Sequence, residues 1–169
     1  MTKAPRPEVP GADLGWCLGV ILRRWHQEVE RAVEGVPHGV RGYQILSFVE
    51  HNPSPTQSSL AKHLGIDKTV MPYIIDALEA EDLVERQTDA ADRRVRRICI
   101  TPPGTRLLRE LETRIRHAED VVFEGVAPEV RAAFVENATR LAATIHAADP
   151  SMDACTVMHE ALERSAGTS

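Results

Sequence analysis

The chain has 169 residues, of which 43% are hydrophobic, 27% charged and only 4% aromatic, with a formal net charge of −5; that fits one globular domain with an aliphatic core. No apolar run approaches the ~18–20 residues of a membrane span, and the opening MTKAPRPEVPG, with three prolines and no hydrophobic stretch, reads as a loose arm rather than a secretory signal. Cys17, Cys99 and Cys155 are odd in number and widely spaced, which fits neither a disulfide framework nor a zinc site and makes a reduced, cytoplasmic location the simplest expectation.

In chain order, Leu14, Cys17, Leu18, Ile21, Leu22, Trp25, Val29 and Val33 recur at helical spacing and predict a first amphipathic helix, ended by GVPHG. A second helix fits Arg41 to His51, followed by NPSPT. Thr56 caps a short third helix, QSSLAKHL, with Gly65 just past its end. A fourth helix carries Val70, Met71, Ile74, Ile75 and Leu78 to about Glu81. Its cap is either Asp67 or Thr69. Thr69 is favoured, because it places Pro72 in the first turn, where a missing N–H costs little. LVERQ and VRRICIT then read as two strands around a polar turn, with Ile98 and Ile100 on one face and Val95, Arg97 and Cys99 on the other. Thr101-Pro102-Pro103 opens a fifth helix with a buried stripe of Leu107, Leu108, Leu111, Ile115, Ala118 and Val122. A last long helix starts at Pro128 with Val130, Phe134, Ala138, Leu141 and Ile145 in line, and a short helix is expected in the tail around Cys155, Met158 and Leu162. A hairpin directly after a helix–turn–helix makes a mainly α fold of the winged helix–turn–helix type, with a two-stranded β wing.

Two observations bear on function. In LAKHLGIDKTVMPYI, Ala61 and Gly65 stand where two short helices must approach and reverse; an ordinary helical hairpin in an all-α core has the same small residues, so this segment alone leaves DNA binding open. The hairpin tilts the balance. Arg93, Arg94, Arg96 and Arg97 fall within five positions, and from Arg86 to Arg109 seven arginines face two aspartates, whereas from Glu110 onward eleven acids face five arginines. The charge is divided along the chain, so the net acidity does not argue against a nucleic-acid partner.

LAKHLGIDKTVMPYIIDALEAEDLVERQTDAADRRVRRICITPPG closely resembles the signature region of MarR-type transcriptional regulators, most specifically in LVERQ, DAADRR and ICITPPG. The family wing often reads D-x-R-D-x-R; here the third position is Ala91. The resemblance implies a homodimer reading a near-palindromic double-stranded DNA operator, with the fourth helix in the major groove and the wing in the neighbouring minor groove. On that reading the chain divides into an arm (1–11), a helical dimerisation region (12–35 and 104–148), a DNA-binding lobe (39–103) and a C-terminal tail (149–169). The expected DNA contacts are Thr56, Gln57, Lys68, Thr69, Pro72, Tyr73, Arg86, Arg93 and Arg94, with Arg94 in the minor groove, Arg86 and Arg93 on phosphate, and Asp92 bracing the loop. Trp16, Arg24, Trp25, His26, Arg41 and Tyr43 are candidates for an aromatic or anionic effector, whose binding would release a repressor; both tryptophans also read as core residues. Cys17 is a redox candidate, although it reads first as a small apolar residue on the Leu14–Leu18–Ile21 stripe, with nothing basic nearby to lower its thiol pKa. A winged-helix protein–protein module without DNA binding is a further alternative. The seven histidines form no metal-binding spacing, and no phosphate loop or nucleophile motif occurs, so neither an enzyme, a cofactor nor a metal is expected.

Overall fold

The computed structural model describes residues 13–149 apart from 53, 90, 91 and 94. The arm, the tail with Cys155, Ala91 and Arg94 therefore lie outside the described residues. The elements run α1 (Leu14–Ala32), α2 (Val40–His51), α3 (Gln57–His63), α4 (Met71–Ala80), β1 (Val84–Thr88), β2 (Arg96–Ile100), α5 (Pro102–Val122) and α6 (Pro128–Ala148). Among the described residues no helix is long and apolar enough to cross a membrane.

α1 begins where the Asp13 carboxylate accepts the Trp16 N–H at 2.8 Å, and it packs along α5. Its buried Glu28 is held between Arg24 at 3.0 Å and Arg31 at 2.7 Å, so the charge is paired where it leaves water. α2, α3, α4, the hairpin and the start of α5 enclose one aliphatic core, with Ile45, Leu46, Leu60, Met71, Ile75 and Ile98 fully buried. A smaller cluster of Val33, Val36 and Leu111 joins α1 and α5 beneath α2.

The helix–turn–helix follows from local chemistry. The Thr56 hydroxyl caps α3 by accepting the Ser59 N–H at 3.2 Å, and Ala61 is buried where α3 meets α4. Gly65 takes the left-handed conformation (φ +59°) that reverses the chain. The entry to α4 differs from the expected Thr69 cap. Val70 is the N-cap, with helical backbone and no side-chain cap bond, and Pro72 stands second in the helix. The cause lies upstream: the Asp67 carbonyl accepts the N–H groups of both Val70 and Met71 at 3.0 Å, closing one turn early. Pro72 has no N–H with which to continue that ladder onto Lys68, so the regular helix starts late.

β1 and β2 pair antiparallel, Val84 opposite Ile100 and Thr88 opposite Arg96. The segment before α3 completes the sheet edge: Pro55 O accepts the Ile98 N–H at 2.9 Å, and Thr56 bridges Arg97. At the exit of the hairpin, the buried Thr101 caps α5 by accepting the Gly104 N–H at 3.1 Å, donates its hydroxyl to Asp82 O, and sends its own N–H to Leu83 O at 3.1 Å. One residue thus ties the base of the wing to α5. α6 folds back after Gly125 (φ +76°) and is anchored at its start by Phe134 against Phe123 (centroids 5.8 Å apart) and by Arg131 over the Phe123 ring, bonded to Asp120 at 2.6 Å. No residue of α6 is buried.

Candidate nucleic-acid interface

Lys68 and Thr69 are exposed in the turn before α4, Tyr73 is 71% exposed one turn further on, and Pro72 is half-buried beside it. Thr56 and Gln57 are half-buried at the start of α3. Thr69 does not cap α4; its N–H and hydroxyl both donate to the Asp67 carboxylate at 2.6 Å. Those two bonds, the hydroxyl first, hold the Asp67 pKa below its ordinary 3.8. A depressed carboxyl pKa stabilises the folded turn fully above that ordinary value and ceases to do so as pH falls through the lower folded value. Carboxyl-carbon NMR should accordingly show Asp67 titrating below 3.8 in the wild type and closer to that value in Thr69→Ala, which loses the hydroxyl bond and keeps the backbone N–H.

The wing is organised around Asp89, which sequence reasoning left unassigned. Its carboxylate accepts the Arg97 Nε–H and the Asp92 backbone N–H, the latter at 3.0 Å. Arg97 also donates to Ser54 O at 3.0 Å, fastening the wing to the loop before α3. Asp89 N–H to Val95 O at 3.0 Å and Val95 N–H to Asp92 O at 2.9 Å close the tip. Asp92, the expected brace, takes part in this arrangement through its backbone N–H and carbonyl. Asp89 opens the Asp89-Ala90-Ala91-Asp92 run, so the signal for it was the spacing of two aspartates before the arginines.

The arginines divide by task. Arg97 is engaged as above, and Arg96 donates to the Thr88 hydroxyl. Arg86 reaches back from β1 to α4, donating to the carboxylates of Asp76 and Glu79, with its backbone N–H on Glu79 Oε1 at 3.1 Å. Arg93 is exposed at the tip and has no hydrogen bond or ion pair among the described residues.

The six effector candidates are dispersed. Trp25 lines an apolar groove of about 840 Å³ between α1, α5 and α6, with Leu18, Ile21, Phe123 and Phe134. Trp16 is exposed on α1, Arg24 is paired with Glu28, and His26 lies 3.0 Å from Glu30. Arg41 donates to Leu64 O at 3.1 Å, and Tyr43 packs against both core clusters. Cys17 is half-buried on α1 and Cys99 lies 3.3 Å from the Ser54 hydroxyl. The described residues contain no group of histidine, cysteine and carboxylate side chains placed to hold a metal ion.

The MarR family model matches residues 41–95, which run from the start of α2 through β1 and the wing loop to the residue before β2. The whole described architecture is shared with solved structures. The repressor CouR bound to a 23-mer DNA duplex is 24% identical, covers 77% of this chain and 92% of its own, and superposes with a TM-score of 0.64. CouR from Rhodococcus jostii RHA1 bound to p-coumaroyl-CoA is 26% identical, covering 80% and 95%, with a TM-score of 0.61. Apo MarR from E. coli is 14% identical, covering 79% and 98%, with a TM-score of 0.68. Proteins of this family are transcription regulators and not enzymes. Residues 41–95, with the helix–turn–helix and the first strand of the wing, thus match the MarR family model, and the described fold is that of MarR-type winged helix–turn–helix proteins.

Proposed function

We propose that the protein is a homodimeric repressor that grips a near-palindromic operator with residues 39–103 of each subunit and is released by a small aromatic or anionic effector. α4 lies in the major groove and the wing in the adjacent minor groove, with half-sites about one turn, roughly 34–36 Å, apart. The observation that carries the reading is Arg93: an exposed guanidinium without a partner among the described residues, at the tip of a braced hairpin whose other described arginines are engaged. Lys68 and Thr69 offer phosphate contacts on the same side of the lobe as α4, and Pro72 and Tyr73 offer apolar contact in the groove, such as with a thymine methyl. Arg94 completes the wing contact set. Residues 12–35 and 104–148 form the dimer, and the cytoplasm is where such a regulator meets its DNA. The DNA duplex bound by one structural relative and the p-coumaroyl-CoA bound by another support both halves of the proposal.

The deciding experiment is a mobility-shift titration against the gene's own upstream region, repeated with aromatic acids and their thioesters as candidate effectors. Arg93→Ala is expected to weaken binding about tenfold or more and to flatten the slope of log K against log salt by ~1.8, one phosphate's share of ~0.9 from each subunit. Unchanged affinity and slope would remove Arg93 from the interface. A promoter fusion that becomes more active when the gene is deleted supports repression; lower activity reverses the sign.

A further inference from the structure

α4, Met71–Ala80, contains no lysine or arginine, and its solvent side carries Asp76 and Glu79. Asp76 follows Tyr73 by three residues, hence on the same face, and its side chain is 62% exposed. A helix of this charge pushed toward a duplex sets carboxylates against phosphates well inside the ~8 Å over which charges at physiological salt still feel one another. Arg86 is the residue that meets both carboxylates. Its guanidinium sits between them, and its backbone N–H takes a second Glu79 bond at 3.1 Å. The three contacts also span one turn of α4 from β1, so the reading helix and the wing are fastened to each other.

We propose that Arg86 is a positioning residue for DNA binding: it acts by cancelling the acidic face of α4, without itself touching phosphate. This rests on the reading that α4 faces DNA. It assigns Arg86 a role different from the direct phosphate contact expected from sequence, because a guanidinium engaged with two carboxylates of its own subunit has little charge left for the duplex.

The test measures affinity of the full chain for a duplex of ~25 base pairs selected by the wild-type protein from a random pool. Arg86→Ala is expected to weaken binding ~10–100-fold, while Arg86→Ala combined with Asp76→Asn and Glu79→Gln returns to within about threefold of wild type, since the repulsion disappears with its source. Arg86→Lys, which keeps the charge but not the fork, should lie between them. A combined variant as weak as Arg86→Ala overturns the inference, because neither a lost phosphate contact nor a lost structural brace is repaired by neutralising α4. Should Arg86→Ala fail to fold, Asp76→Asn/Glu79→Gln with Arg86 retained serves instead: tighter binding than wild type supports the proposal and weaker binding overturns it. Arg93→Ala is the control for the underlying reading. If neither Arg93→Ala nor Arg86→Ala alters binding, the interface itself is misplaced; if only Arg93→Ala does, the role of Arg86 alone fails.

Discussion

Gly104→Ala is expected to destabilise the protein by about 3 kcal/mol or more and to lower its thermal midpoint by about 10 °C. A Cβ on Gly104 would stand 2.1 Å from Leu83 O, 3.0 Å from the Leu83 carbonyl carbon and 2.8 Å from Ile100 Cγ1. The first two are backbone atoms, and the carbonyl is fixed because it accepts the Thr101 N–H at 3.1 Å. Relief therefore requires the N-terminus of α5 to lift off the base of the hairpin, which breaks the Thr101 cap and opens the core around Ile98 and Leu108. The T-P-P-G sequence is explained by this contact: threonine caps, the prolines occupy positions that need no N–H, and the glycine permits the approach. Thermal unfolding followed by circular dichroism is the measurement, and a midpoint within about 2 °C of wild type would show that the junction yields at small cost.

That junction was legible in the sequence, as were all six described helices and both strands to within a few residues, because the signals are local. The 3–4 spacing of apolar residues fixes a helix face, and the caps made by Thr56 and Thr101 and the turn at Gly65 form within four residues of themselves. The sequence was less informative where a contact joins distant segments or where backbone and side chain compete. Asp67 and Thr69 were both plausible caps; the choice fell to neither, because a carbonyl bond from Asp67 and the missing N–H of Pro72 together moved the helix start to Met71. Arg86 lies ten residues from Asp76, and only the reversal of the chain between α4 and β1 brings them together. Asp89 was overlooked for the same reason, since its partner Arg97 lies across the hairpin. A local excess of arginine announces a wing, but which arginine faces outward depends on the placement of each carboxylate, and periodicity does not encode that.

Leu141→Asp is expected to raise the dissociation constant of the proposed homodimer by roughly 10⁴-fold. The argument starts from what α6 lacks. A 21-residue helix with no buried residue has no tertiary packing along most of its length, although such packing is what ordinarily stabilises helices in proteins. Val130, Phe134, Leu141 and Ile145 nevertheless form an apolar stripe at helical spacing, and Leu14, Trp16, Leu18 and Val20 are exposed on α1. Among the described residues, the large exposed hydrophobics outside α1, the end of α5, the following turn and α6 are Val70 and Tyr73, both in the lobe proposed to meet DNA. An apolar surface of that extent suits the interface of the proposed homodimer, whose two-fold symmetry would bury each position twice. One unpaired carboxylate in such an interface costs about 3 kcal/mol, so the pair costs about 6 kcal/mol, which sets the expected shift. Leu141 is 61% exposed in the single subunit, so the change removes little of the subunit's own packing. Sedimentation velocity over a concentration series reads the dissociation directly, and operator affinity should fall with it because the second lobe is no longer tethered beside its half-site. A variant that sediments as the wild-type dimer would place the interface elsewhere and leave the stripe on α6 without its explanation.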